Sequence, residues 1–151
     1  MKTLNRRKFL NQSCPILVST LIAGALLKSC SPDELNNTPV IEGGYTVSGN
    51  TLTIDLTHPD FSALNTNGWI NFSAQKVLIL KKSSTEYQAF SNRCPHEGVR
   101  NRWTYSESSK SFVCKEHNNT YKTDCSTRGA GGVLNCYPIL LNNQKIKITL
   151  G

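Results

Sequence analysis

Cys94-Pro95-His96-Glu97-Gly98 and Cys114-Lys115-Glu116-His117 decide how this chain is read, and seventeen residues, 97–113, separate His96 from Cys114. Each stretch supplies one thiol and one imidazole. Two of the three histidines in 151 residues fall in this pattern, a coincidence that packing alone does not explain. Thiolate and imidazole are ligands for transition metals. A structural zinc ion takes two of each, but its paired ligands usually leave at least two residues between them. Cys94 and His96 leave one, which is tight for a tetrahedral chelate.

Outward from the motif the chain reads as strands. Thr51-Leu52-Thr53-Ile54-Asp55-Leu56 alternates apolar and polar residues, and Tyr45-Thr46-Val47 precedes it across the turn Ser48-Gly49-Asn50. Lys76-Val77-Leu78-Ile79-Leu80 is a short apolar run, and Glu86–Phe90 offers a hairpin partner beyond the polar turn 81–85. Ser111-Phe112-Val113 follows another polar turn, 106–110. The clearest hairpin is the last, Pro138–Leu141 and Lys145–Leu150 around Asn142-Asn143-Gln144. Phe61–Phe72 is ambiguous: Asn65, Asn67 and Gly68 suggest a loop, with Trp69, Ile70 and Phe72 packing inward. His58-Pro59-Asp60 reads as a turn, and Trp69 and Trp103 as core or edge aromatics rather than electron relays. Short strands with polar connections and no convincing helical period favour an all-β domain, a small sandwich or barrel.

The double motif resembles the signature of the Rieske family: Cys-x-His, a spacer of about this length, then Cys-x-x-His. The resemblance spans about residues 45–150, most weakly at the start. It implies a [2Fe–2S] cluster with Cys94 and Cys114 on one iron and His96 and His117 on the other. It also implies an antiparallel β-sandwich or barrel with a cluster-binding subdomain of two loops. Neutral imidazoles in place of two thiolates make such a site less negative, and its potentials run from roughly −150 to +300 mV. Gly98 fits the glycine that follows the first histidine. Tyr121 fits an aromatic position from which high-potential members donate a hydrogen bond to a cysteine sulfur; the alternative is that it merely packs.

The chain departs from the pattern in three places. Asn118-Asn119 stand where Gly-Ser usually follows the second histidine. Asparagine is the residue next most tolerant of a left-handed backbone after glycine, so Asn118 still allows the loop to form. Asn119 puts the serine-to-sulfide hydrogen bond in doubt, so the expected potential is intermediate. Quinol-oxidising members also carry an extra cysteine pair beside the motifs, where this chain has Val99 and Glu116. Finally, the proline often found in the loop near the cluster is missing from the stretch between Cys125 and Cys136.

A disulfide between Cys125 and Cys136, bracketing Arg128-Gly129-Ala130-Gly131-Gly132, is the default for an exported chain. A free redox thiol or further metal ligation is the alternative. Export is suggested by residues 1–29. Asn5-Arg6-Arg7-Lys8-Phe9-Leu10 looks like a twin-arginine signal, the apolar heart at 16–27 is too short for a membrane span, and Leu27-Lys28-Ser29-Cys30 resembles a lipobox. Lipidation of Cys30, a tether at 30–39 and a folded domain at 40–151 follow, with Cys14 lost in the leader. The expected location is extracytoplasmic, lipid-anchored to a bacterial membrane on the periplasmic side or cell surface. The formal charge of +7 also belongs mostly to this leader. Five basic and no acidic residues precede Cys30, leaving twelve basic and ten acidic residues beyond it. A nucleic-acid binder would concentrate its positive charge on the folded part.

Histidine count limits the chemistry further. An oxygenase of this family adds a mononuclear iron held by two histidines and a carboxylate, and only His58 remains for it. No Gly-x-Gly-x-x-Gly fingerprint is present. The expectation is an electron-transfer protein or oxidoreductase subunit rather than a stand-alone enzyme, with a redox protein docking at the His96/His117 edge. Alternatives are the Rieske subunit of a quinol-oxidising complex or molybdenum oxidase, a structural zinc domain, or a cluster-free binding domain.

Overall fold

The computed structural model describes residues 42–151. The leader, Cys14, Cys30 and the tether lie outside the described residues. Among the described residues, the architecture is antiparallel β, an all-β sandwich with three sheets, one α-helical turn of four residues and three short 3₁₀ turns.

The first sheet joins β1 (Tyr45–Ser48), β2 (Thr51–Asp55), β11 (Lys145–Thr149) and β10 (Ile139–Asn142), in that order. Alternation builds it. Leu52 and Ile54 of β2 and Ile146 and Ile148 of β11 are fully buried, and Leu52 faces Ile148 while Ile54 faces Ile146 across the pair. Two tight turns close its hairpins. Gly49 takes a φ of 57° between β1 and β2, and Asn143 and Gln144 take 45° and 61° between β10 and β11. Two successive left-handed residues match the twist of the flanking strands.

The second sheet runs β3 (Trp69–Phe72), β4 (Val77–Lys81), β5 (Tyr87–Ser91), β9 (Cys136–Tyr137). Val77, Leu78, Ile79 and Leu80 are all buried, which explains why β4 reads as a continuous apolar run: the strand is covered on both faces. Val77 and Ile79 join Leu52, Ile54, Ile146 and Ile148 in one core. Leu78 and Leu80 join Phe90, Phe112, Trp103, Tyr121, Leu134, Cys94 and Cys114 in the other. This middle sheet therefore divides the domain into a sandwich side and a loop-bearing side.

The third sheet, β6 (Trp103–Ser106), β7 (Ser111–Cys114) and β8 (Asn119–Lys122), adds Trp103, Phe112 and Tyr121 to the second core, where they meet Phe90 of β5 and Trp69 of β3. Phe112 is ringed edge-on by Trp69 at 5.6 Å, Phe90 at 5.5 Å and Trp103 at 6.2 Å. The ambiguous segment resolves into a 3₁₀ turn (Pro59–Phe61), the single helical turn α1 (Ala63–Thr66) and strand β3, not a loop throughout. Trp69–Phe72 is partly buried at every position, so it shows no alternation; its pairing with β4 makes it a strand. No helix of the described residues is long and apolar enough to cross a membrane.

Candidate metal centre

Both motif segments sit where strands of the second core end. The first leaves β5, and its loop closes on itself: the Cys94 N–H donates to Val99 O and the Gly98 N–H to Cys94 O, both at 2.8 Å. Gly98 has a φ of 78°, and a Cβ there would press within 3.1 Å of the Arg93 side chain. The second is the tip of the β7–β8 hairpin. Cys114 is the last residue of β7, registered against Asn119, and His117 lies in the four-residue loop between them. Asn118 adopts a φ of 56°, the left-handed conformation for which asparagine is the next most tolerant residue after glycine.

The four side chains converge with opposite exposures. Cys94 and Cys114 are free thiols, 3% and 1% exposed. His96 and His117 are exposed at the surface, their rings 5.1 Å apart and nearly perpendicular. Glu97 lies between the imidazoles. One carboxylate oxygen is 3.8 Å from Nδ1 of His96 and the other is 3.6 Å from Nδ1 of His117.

The thiols sit in unequal electrostatic settings. Burial opposes ionisation of Cys94. Hydrogen bonds from the Tyr121 hydroxyl, the His96 N–H, the Cys114 thiol and the Glu97 N–H outweigh it, and its pKa falls. Burial dominates at Cys114 and pushes its pKa up, against the Glu116 N–H. Two buried thiols turned toward backbone donors, with two accessible imidazoles beside them, form a donor set that fits a [2Fe–2S] cluster with two sulfur and two nitrogen ligands.

A third segment supports the first two. The Cys125–Cys136 disulfide closes it, with Cα atoms 5.7 Å apart. Gly129 and Gly132 pair through reciprocal N–H···O bonds of 2.8 and 3.2 Å, so that Ala130-Gly131 forms the tip. This tip needs glycine. A Cβ on Gly131 would lie 2.4 Å from Pro95 O and 2.6 Å from the His96 Cα; one on Gly129 would lie 2.7 Å from Thr120 O. The glycines let the segment lie against the first motif loop at Pro95 and His96 and against β8 at Thr120 and Tyr121.

Tyr121 joins these parts. Its ring is fully buried, and its hydroxyl donates to Ala130 O at 2.8 Å while standing 3.4 Å from Cys94 Sγ. A protonated Cys94 can donate to the phenol oxygen and leave both bonds intact. A metal-bound thiolate has no proton, so the single Tyr121 proton must serve both the carbonyl and the sulfur. Burial first, and then the bond to Cys94, push the Tyr121 pKa well up.

Two residues at this site carry no signal in the sequence. Asn92, fully buried, accepts from Arg100 at 2.7 Å, donates to Asn71 at 3.0 Å, and through its carbonyl accepts from Trp103 Nε1 at 2.7 Å. It ties the first loop to β3 and β6, and a lone asparagine two positions before a cysteine gives no hint of that. Glu97 stands inside the motif, but only the fold brings His117 to it. The structure also places the remaining residues singled out in the sequence. His58 caps the 3₁₀ turn by accepting from the Asp60 N–H at 3.3 Å, as a turn residue does. Val99 packs on the second core, and Glu116 faces Arg102 at 3.5 Å.

A family model of the Rieske [2Fe-2S] domain matches residues 59–138, more than half of the chain. The chain belongs to the Rieske family. Its cofactor is accordingly a [2Fe–2S] cluster and its chemistry iron–sulfur electron transfer. Among solved structures, the chain is similar to the crystal structure of the cyanobacterial plasma membrane Rieske protein PetC3 from Synechocystis PCC 6803. That match has 17% identity, a TM-score of 0.44, and covers 58% of this chain and 91% of that one. No curated protein sequence matches the chain significantly.

Proposed function

We propose that this chain is an exported, lipid-tethered one-electron carrier whose cluster is held by Cys94, His96, Cys114 and His117. The observation that carries the assignment is the pairing of two buried free thiols with two exposed imidazoles 5.1 Å apart, at the two loops that follow β5 and β7. When bound, the cluster accepts and releases one electron, at a potential raised by its imidazole ligands. The protein's own residues do the rest. The thiols are kept from solvent by Trp103, Phe112 and Tyr121. Backbone N–H groups and the Tyr121 hydroxyl are aimed at the Cys94 sulfur. The imidazoles are left exposed as the edge at which a redox partner docks.

Residues 1–29 serve as the leader, 30–39 as the tether from lipidated Cys30, and 40–151 as the cluster domain. A twin-arginine route suits such a protein, because a cluster inserted before export must cross in a folded chain. A carrier is favoured over a subunit of a quinol-oxidising complex because Val99 and Glu116 occupy the places of that group's extra cysteine pair.

Two measurements test the proposal. Electron paramagnetic resonance of the dithionite-reduced, iron-replete protein should show a reduced Rieske signal, and its absence overturns the ligand assignment. Full-length protein should incorporate labelled fatty acid and partition into detergent. Loss of both on Cys30→Ala is expected, and retention of the label overturns the anchor.

A further inference from the structure

Two carboxylates flank the histidine ligands, and their surroundings differ. Glu116 faces Arg102, with Nε 3.5 Å from its carboxylate. Glu97 faces no Lys or Arg within 4 Å among the described residues; its two oxygens face the two imidazoles, one each. Its position follows from both loops. The tight turn ending at Gly98 holds Glu97 beside His96, and the β7–β8 hairpin brings His117 to the other side.

A Rieske centre owes its high potential to the replacement of two anionic thiolates by neutral imidazoles. Glu97 restores one negative charge on that same imidazole side. Reduction adds a further negative charge, which a carboxylate this close opposes; the exposed, cation-paired Glu116 is screened by Arg102. We propose that Glu97 is a potential-setting residue that holds the cluster's midpoint potential below the value its imidazole ligands would otherwise give. The inference rests on the ligand assignment above and deepens it.

The test is the midpoint potential of the full mature domain in a charge series at position 97, measured by protein-film voltammetry with cluster content read from the visible spectrum. Glu97→Gln should raise the potential, favouring the reduced form about tenfold, which is about 59 mV for one electron. Glu97→Lys should raise it further, and Glu116→Gln should shift it less than Glu97→Gln. Increasing salt should raise the potential of the native protein more than that of Glu97→Gln, because only the native protein has this charge to screen. Glu97 is half exposed, so these variants should fold. If one assembles no cluster, the other variant and the salt dependence still decide. A flat series in cluster-loaded protein, or a shift from Glu116→Gln as large as that from Glu97→Gln, overturns the proposal. Native protein that assembles no Rieske cluster overturns instead the ligand assignment on which it rests.

Discussion

The two faces of the middle sheet are built by different rules. On the sandwich side, Leu52, Ile54, Val77, Ile79, Ile146 and Ile148 come from regular strands and are positioned by burial, with Phe61 and Phe72 packed beside them. On the loop side, the core is aromatic and sulfur-bearing, and its loops are fixed by individual polar contacts: the Asn92 hub, the Tyr121 hydroxyl, and the close approach of Gly131 to Pro95. One side supplies stability with little regard to the identity of any residue. The other supplies geometry and tolerates few exchanges. Changes on the sandwich side should move stability without potential, and changes on the loop side should move the cluster and its potential.

The largest expected effect is at Cys114→Ser. The substitution removes a ligand from the end of β7, and the reduced-state resonance signal should disappear entirely. Hydrogen exchange should then show lost protection in the loops at 94–99 and 115–118, since metal binding and local folding are coupled. The amides pairing β2 with β11 should stay protected. Loss of protection there as well would mean that the cluster holds the whole domain together.

Ile54→Ala is the complementary change. Ile54 is fully buried and paired with Ile146. Its truncation should cost about 2–5 kcal/mol of unfolding free energy in urea. The midpoint potential of the surviving folded protein should not move. A shifted potential would show that the sandwich core also shapes the site.

The same division explains what the sequence disclosed. The sandwich strands were legible because β2 and β11 bury every second residue, and β4 because it buries consecutive ones. The four proposed ligands were legible because Cys-x-His and Cys-x-x-His are rare in a chain with three histidines. Strands β3, β6, β8 and β9 were not. They are two to four residues long and partly exposed, so pairing rather than pattern makes them strands. Asn92, the Ala130 carbonyl and the Glu97–His117 contact were hidden for another reason. Each depends on segments brought together by the fold, and a carbonyl has no sequence signature at all.

Tyr121→Phe tests the join between the two sides of the site at a smaller scale. The ring stays buried and only the hydroxyl is lost. Losing the bond to Ala130 O should cost about 1 kcal/mol. Losing the donor beside Cys94 Sγ should lower the potential, because a hydrogen bond to sulfur stabilises the more negative, reduced state. A stability loss with an unchanged potential would mean that the phenol proton stays with the Ala130 carbonyl when the cluster is bound.

The smallest expected effect is at the foot of the glycine segment. Asp124 accepts from the Thr127 hydroxyl at 2.5 Å, from the Thr127 N–H at 2.8 Å and from the Ser126 N–H at 2.9 Å. These bonds hold its pKa well below the usual carboxylate range, the Thr127 hydroxyl most of all. A depressed native pKa makes the contribution of Asp124 to stability complete above the unfolded value, about 3.9, and progressively lost as pH falls toward the native one. Asp124→Asn keeps an acceptor for the backbone donors but removes the charge. Its urea midpoint should therefore fall less than that of the native protein between about pH 6 and about pH 3. The potential should be the same in both, because this turn touches neither motif loop. Parallel midpoints across that range would show that the Asp124 bonds do not outlast their formation in the unfolded chain, and that the segment is held by Cys125–Cys136 and the glycine tip instead.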